Sequence, residues 1–197
     1  MITHHLRRCA AVAAAAFAAL TLGAGTAAAS PAPVPSLDLQ RYLGTWHQLA
    51  AVPQPFNLVC AMDTRATYTL DPQGNVSVFN RCTTWSGTAN EIRGTATVND
   101  TVTNAQLHVS FPGVPTQESL NGPTNYIVTA LGPDYSWALV TDPYRLSGFV
   151  LSRTPALDAE QWDAVGAAID AAGESRCLYL TSPTTGGLTG IRPLCVN

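Results

Sequence analysis

Few side chains in this 197-residue chain could do chemistry, and most of them sit inside short alternating runs. His47 lies in "TWHQLA" and His108 in "AQLHVSF". An imidazole moves protons near neutral pH or ligates a metal or haem iron, but only where its ring faces the reacting group. In the second run Leu107, Val109 and Phe111 fall on one face, and Gln106, His108 and Ser110 on the other. In the first, Trp46 opposes His47. Both rings are therefore expected on the outer, solvent-facing side of their strands. Ser152 precedes Arg153, yet no G-x-S-x-G elbow surrounds it and no H-E-x-x-H helix occurs. No catalytic residue, metal or cofactor is expected, and the chain reads as a binder rather than an enzyme.

The cysteines carry a different chemistry. Cys60, Cys82, Cys177 and Cys195 follow a 29-residue start with two arginines, an alanine-rich apolar stretch from Cys9 to Leu22, and Ala27-Ala28-Ala29. That order is a secretory signal peptide, and Cys9 lies too early to take a lipid at the cleavage point. Four cysteines in an exported chain read as two disulfides, with three possible pairings. Cys60–Cys82 with Cys177–Cys195 is preferred, each joining neighbouring segments, and Cys60–Cys195 is the main rival. None has CxxC spacing, which argues against zinc. Beyond residue 29 there are eight arginines, thirteen acids and no lysine, a formal charge of −5. Nucleic acid and anionic membrane are poor partners for such a chain. The missing lysine and abundant alanine point to the coding bias of a GC-rich bacterial genome.

The elements that must position these residues are mostly strands. After a Pro-rich linker (30–36), eight strand-like runs recur: Trp46–Val52, Asp63–Leu70, Val76–Cys82, Ile92–Val98, Ala105–Phe111, Asn125–Leu131, Ser136–Thr141 and Gly148–Ser152. Asp71-Pro72-Gln73-Gly74-Asn75 is a hairpin turn by its chemistry. Regular spacing and period-two alternation favour a closed barrel or a sandwich. One helix follows, with Leu157, Trp162, Val165 and Ile169 near one face, acids at its start and Gly173 at its end. A short ninth strand, Cys177–Thr181, is expected, and the tail from Ser182 is loose unless Cys195 ties it down.

An eight-stranded barrel encloses side chains or one small ligand, and its narrow end needs a plug. Trp46, freed from the preceding turn by Gly44, suits that role. Arg153 ends the eighth strand, the neighbour of the first in a closed barrel, and is placed to stack on the indole. At these residues the chain resembles the lipocalins, most closely the bacterial lipocalins and their apolipoprotein D-like relatives. "DLQRYLGTW", "NYIVTALGPDYSWALVTDP" and "FVLSRTPALD" look like the three family motifs in order, spanning about Leu37 to Leu180. The resemblance implies an all-β fold: an eight-stranded up-and-down antiparallel barrel with one C-terminal helix packed outside, occupying 37–197. Departures are His47, where relatives often carry an aromatic, and Gly148-Phe149 in place of an aromatic pair.

Alternation and the register the resemblance implies then give the inner face. Trp46, Gln48 and Ala50 point inward on the first strand, with Leu49 outward. Thr64, Ala66, Tyr68, Val76, Val78, Asn80, Ile92, Gly94 and Ala96 line the next three. Leu107, Val109, Phe111, Asn125, Ile127, Thr129, Ala138, Val140, Phe149 and Leu151 line the rest, and Phe56 folds over the mouth. The candidate ligand contacts are Gln48, Phe56, Ala66, Tyr68, Val78, Asn80, Leu107, Val109, Phe111, Asn125, Ile127, Val140, Phe149 and Leu151; Gly44, Trp46 and Arg153 are structural. A mostly apolar lining suits a ligand with a long apolar body and one polar end. The resemblance also implies a fatty acid or lysophospholipid; with the signal segment and the negative charge, the expectation is a secreted or cell-wall-associated monomer without nucleic acid or stable membrane insertion. Two alternatives stay open: a lipocalin-fold isomerase or haem scavenger using His47 or His108, and a filled barrel acting through its surface.

Overall fold

Alternating sequence becomes a continuous wall. A computed structural model describes residues 29–196, so the expected signal peptide lies outside the described residues apart from Ala29. Eight antiparallel strands run in chain order: β1 (Gly44–Ala51), β2 (Cys60–Leu70), β3 (Val76–Thr84), β4 (Ala89–Val98), β5 (Gln106–Ser110), β6 (Tyr126–Leu131), β7 (Trp137–Thr141) and β8 (Gly148–Ser152). Each pairs with the next, and β1 pairs with both β8 and β2, which closes the barrel. A one-turn helix, α1 (Leu39–Tyr42), leads into β1, and α2 (Ala159–Ala171) follows β8.

Local chemistry explains the boundaries. In the β2–β3 turn the Asp71 carboxylate accepts the N–H groups of Gln73 and Asn75 at 2.9 and 2.8 Å, while Gly74 takes φ +84°. That is an Asx-anchored hairpin. Asp158 caps α2 by accepting from Gln161 N, and the Gln161 side chain accepts from Asp158 N, a reciprocal capping box. Val165 and Ile169 of α2 are fully buried against Trp137, Leu139 and Val150 on the outer face of β7 and β8. Those two strands are covered on both faces, which is why "WALVT" and "FVL" read as nearly unbroken apolar runs.

Besides the irregular start of β2 between Cys60 and Arg65, two bulges shift the alternation. One lies between Gln48 and Ala50 on β1, the other between Val128 and Ala130 on β6. An inserted residue sends the side chains beyond it to the opposite face. Ala50, expected inside, therefore joins Val150 in the outer layer beneath α2, and Ala51 pairs with Phe149 instead. The disulfides join Cys60 to Cys82 and Cys177 to Cys195, the preferred pairing.

Past α2 the chain makes a short 3-10 turn over Arg176–Leu178, where a longer strand was expected, and only β9 (Leu180–Thr181) pairs with the sheet. The tail is not loose. It enters the gap where β1 and β2 part: Ser182 N–H donates to Leu49 O at 2.8 Å, and Asp63 N–H donates to Pro183 O at 2.9 Å. Asp63 also accepts the Thr185 N–H and hydroxyl, both at 2.8 Å. The segment read as a linker lies against the barrel too. Pro31 is buried, Val34 N–H donates to Val128 O at 2.8 Å, and Arg145 reaches Ala29 O at 2.8 Å.

Candidate ligand-binding site

The barrel is a cup whose floor is built first. Gly44, at φ +95°, turns the chain so that Trp46 enters the lumen, where it is fully buried. A Cβ at position 44 would lie 3.3 Å from Arg153 Nη1, so the turn needs both the conformation and the space of glycine. The Arg153 guanidinium carbon sits 3.6 Å above the indole ring. Its N–H groups donate to the main-chain oxygens of Arg41 (2.6 Å), Leu43 (2.9 Å) and Thr45 (3.0 Å). One cation thus gains the aromatic face and ties α1 to β1. The indole N–H donates to Tyr42 O at 2.9 Å.

Above the plug, Tyr42 stacks against Tyr68 with ring centroids 5.8 Å apart, and Tyr126 Oη contacts both hydroxyls, at 2.7 Å for Tyr42 and 3.2 Å for Tyr68. Burial raises all three phenols. Tyr68 is pushed up to about 12, held back by its bond to Tyr126 and by the charge of Arg153. Tyr42 and Tyr126 lie well above the ordinary value, chiefly by burial; both neighbouring phenols add to it at Tyr126, whereas at Tyr42 the Tyr68 phenol adds and the bond to Tyr126 and the charge of Arg153 oppose.

The wall is apolar. Ala66, Tyr68, Val78, Leu107, Val140 and Leu151 form one interior cluster, with Val76, Ala96 and Ala138 among them. Val109, Phe111 and Phe149 are partly exposed against it. Gly94 makes room for Phe111: a Cβ there would fall 2.5 Å from that ring. Asn80 pairs with Ala66 across the sheet and so faces inward, and its Oδ1 is buried without a partner. Gln48, opposite Leu151, faces inward and donates to Ser182 Oγ at 2.9 Å. Ile92, expected inside, is 36% exposed near the rim.

At the mouth, Phe56 rides on a 3-10 turn (Pro55–Val59), is 54% exposed, and stacks on Phe149 with centroids 6.4 Å apart. A crevice of about 150 Å3 opens at the β1–β2 seam, lined by Gln48, Ala51, Leu58, Met62, Thr64 and Ser182 among others. A shallower one of about 540 Å3 continues along Met62, Trp85 and the tail from Pro183 to Ile191.

Three expected placements are corrected. Ile127 is fully buried but pairs with Thr141, whose neighbour Val140 faces inward, so Ile127 lies on the outer face. Asn125 lines nothing: its side chain accepts from Val109 N at 2.7 Å and donates to Val109 O at 2.9 Å, standing in for a strand partner of β5. Thr129 falls at the β6 bulge, its hydroxyl donating to Leu139 O. The inward residues of β6 are Tyr126 and Val128. The sequence held that signal, because in "NYIVTAL" the face with Asn125 and Thr129 is the polar one. Tyr42 was missed because it precedes the first strand.

Neither histidine faces the lumen. His47 pairs with Arg65 and Ser152 on the outer side, and burial together with the charge of Arg65 lowers its pKa against the pull of Asp63. His108 also points outward, but it is 5% exposed rather than a surface residue, because the β5–β6 loop folds over it. Its Nδ1 lies 2.8 Å from Pro123 O and its Nε2 2.9 Å from Ser119 O. Among the described residues, no group of three or more His, Cys, Asp or Glu side chains is placed to hold a metal, and no helix is long and apolar enough to cross a membrane.

A family model described as a lipocalin-like domain matches residues 37–178. Temperature-induced lipocalin-1 of Arabidopsis thaliana is 37% identical over 131 residues, covering 66% of this chain and 69% of that protein. Outer membrane lipoprotein Blc of Escherichia coli K12 is 35% identical over 128 residues, covering 64% and 68%. Among solved structures, insecticyanin of the tobacco hornworm Manduca sexta superposes with a TM-score of 0.58 at 17% identity, over 82% of this chain and 92% of that one. At that identity the superposition speaks for the fold.

Proposed function

This chain belongs to the lipocalin family, whose members bind small hydrophobic molecules, and from that premise we propose that its cup holds a single-chain lipid of the fatty-acid or lysophospholipid class for transport, storage or sequestration. One observation carries the reading: a floor sealed by Trp46 and Arg153 lies beneath a wall of Ala66, Val78, Leu107, Val140 and Leu151, with a mouth framed by Phe56 and Phe149. Such a wall exchanges apolar ligand surface for water at about 25 cal/mol per Å2, which scales with chain length and not with head-group identity. A lipocalin-fold isomerase or haem scavenger finds less support, because His47 faces away from the lumen and both ring nitrogens of His108 meet main-chain carbonyls.

The expected setting is outside the cytoplasm, as two disulfides and the signal-like start suggest. The test is titration of delipidated, folded protein with cis-parinaric acid, a fluorescent fatty acid. Saturable binding near one equivalent is expected, and Leu107→Trp, which fills the lumen, should weaken it at least about tenfold. Linear, unsaturable uptake by folded protein would overturn the proposal.

A further inference from the structure

The tyrosines at the foot of the cup have one proton too many. Tyr42 comes from α1, Tyr68 from β2 and Tyr126 from β6, and their hydroxyls meet at 2.7 and 3.2 Å. Each phenol carries one proton, and each oxygen–oxygen contact uses one. Two contacts among three hydroxyls leave one O–H without an acceptor among the described residues, whichever way the rotors are set. Unmet buried donors are uncommon because their desolvation goes uncompensated. Tyr42 and Tyr68 are 5% and 7% exposed, and Tyr126 packs partly buried against the same interior cluster. The spare O–H thus lies within the interior cluster that lines the cup.

We infer that this trio is a head-group subsite: it donates a hydrogen bond to an uncharged acceptor oxygen at the end of an otherwise apolar ligand, which lies in the cup oxygen-down. The inference rests on the cup being the ligand site. Ketones, esters, alcohols and un-ionised carboxyl groups share this chemistry. A carboxylate does not fit as well, because it would be buried against a single spare donor. Arg153, the cation of the floor, already directs its N–H groups to the main-chain oxygens of Arg41, Leu43 and Thr45. The raised phenol pKa values keep all three hydroxyls protonated as donors. One inward position above Tyr68 stands Ala66, whose short side chain keeps the wall there apolar.

A selectivity follows among single-chain ligands. A lysophospholipid with its bulky head at the mouth presents a methyl terminus to the trio and leaves the donor unmet. A long-chain ketone, alcohol or neutral fatty acid satisfies it. The trio also explains why a polar patch stands in the greasiest part of the lumen, where phenylalanine would pack equally well.

The test is displacement of diphenylhexatriene, a hydrocarbon probe, by tridecane or by 2-tridecanone. The variant is Tyr42→Phe/Tyr68→Phe/Tyr126→Phe, which keeps every ring and removes every hydroxyl. A single substitution leaves a spare donor behind, whereas removing all partners together is nearly neutral for stability. The triple variant is expected to bind 2-tridecanone about tenfold more weakly and tridecane within about twofold of the parent. Equal changes for both ligands, or none for the ketone, would overturn the subsite while leaving the cup reading intact. Failure of the parent to take up diphenylhexatriene would overturn the cup first. Infrared spectra of carbonyl-13C 2-tridecanone bound to the parent give a reading independent of the variant's folding. A stretch below that in liquid tridecane is expected, and a band at the tridecane position refutes the hydrogen bond.

Discussion

The two ends of the barrel are built from similar residues put to opposite use. At the closed end Trp46 is fully buried, its ring covered by Arg153 and its N–H bonded, and Tyr42 and Tyr68 pack over it. At the open end Phe56, Leu58 and Trp85 are 54%, 71% and 68% exposed. The floor is held by several interactions that share the same two side chains, so it makes little allowance for change. The mouth is made of a 3-10 turn, a hairpin tip and a disulfide-tied tail, whose apolar atoms have little of this protein left to touch. Stability is concentrated at one end and adaptability at the other, an arrangement that suits a vessel.

That contrast can be broken at either end. Trp46→Ala should cost about 3–5 kcal/mol in urea unfolding, as the loss of a fully buried large side chain, and a variant as stable as the parent would remove the floor from the account. Replacing Cys177 and Cys195 by serine should cost about 2–4 kcal/mol and release the tail from Asp63, read as faster amide exchange at Thr185 than at Trp46. Uniform exchange rates would mean that the tail holds without its disulfide. Arg153→Met keeps the stem over the indole and removes the charge and its hydrogen bonds, an expected loss of about 2 kcal/mol.

A smaller effect is expected from pH at the outer wall. Burial and Arg65 hold the pKa of His47 below its ordinary 6.5, so the folded state favours the neutral ring. The associated stability is present above pH 6.5 and is lost as pH falls through the lower folded value. The melting temperature should therefore fall between pH 7 and 5, and less so in His47→Gln; superimposable profiles would assign the acid sensitivity elsewhere. Smallest of all, Phe56→Ala should move stability by less than about 0.5 kcal/mol while altering cis-parinaric acid affinity, the reverse of the pattern at Trp46.

Much of the architecture was legible because it is written in local terms. The eight runs, the Asp71–Asn75 turn, the capped helix and the Trp46–Arg153 contact follow from alternation, turn chemistry and the end-to-start adjacency of a closed barrel. The lining was legible only where alternation ran unbroken, as on β2 beyond Arg65, on β3 and on β5. It failed at Ala50 because a bulge leaves no mark in residue composition when both faces are buried, and on β6, ahead of its bulge, because the fully buried Ile127 shares the outer face with the polar Asn125. For His108 parity gives a side and says nothing of the β5–β6 loop that covers it.

Within single elements, period and propensity determined where strands begin, which faces are apolar and where the helix is capped, since those preferences act between residues a few positions apart. The meeting of Tyr42, Tyr68 and Tyr126, the threading of residues 180–185 between β1 and β2, and the cover over His108 were decided by the closed barrel alone. Each brings together groups from distant parts of the chain at hydrogen-bond distance. No local preference encodes such a meeting; it exists only once the strands have closed and the remaining polar groups have found partners.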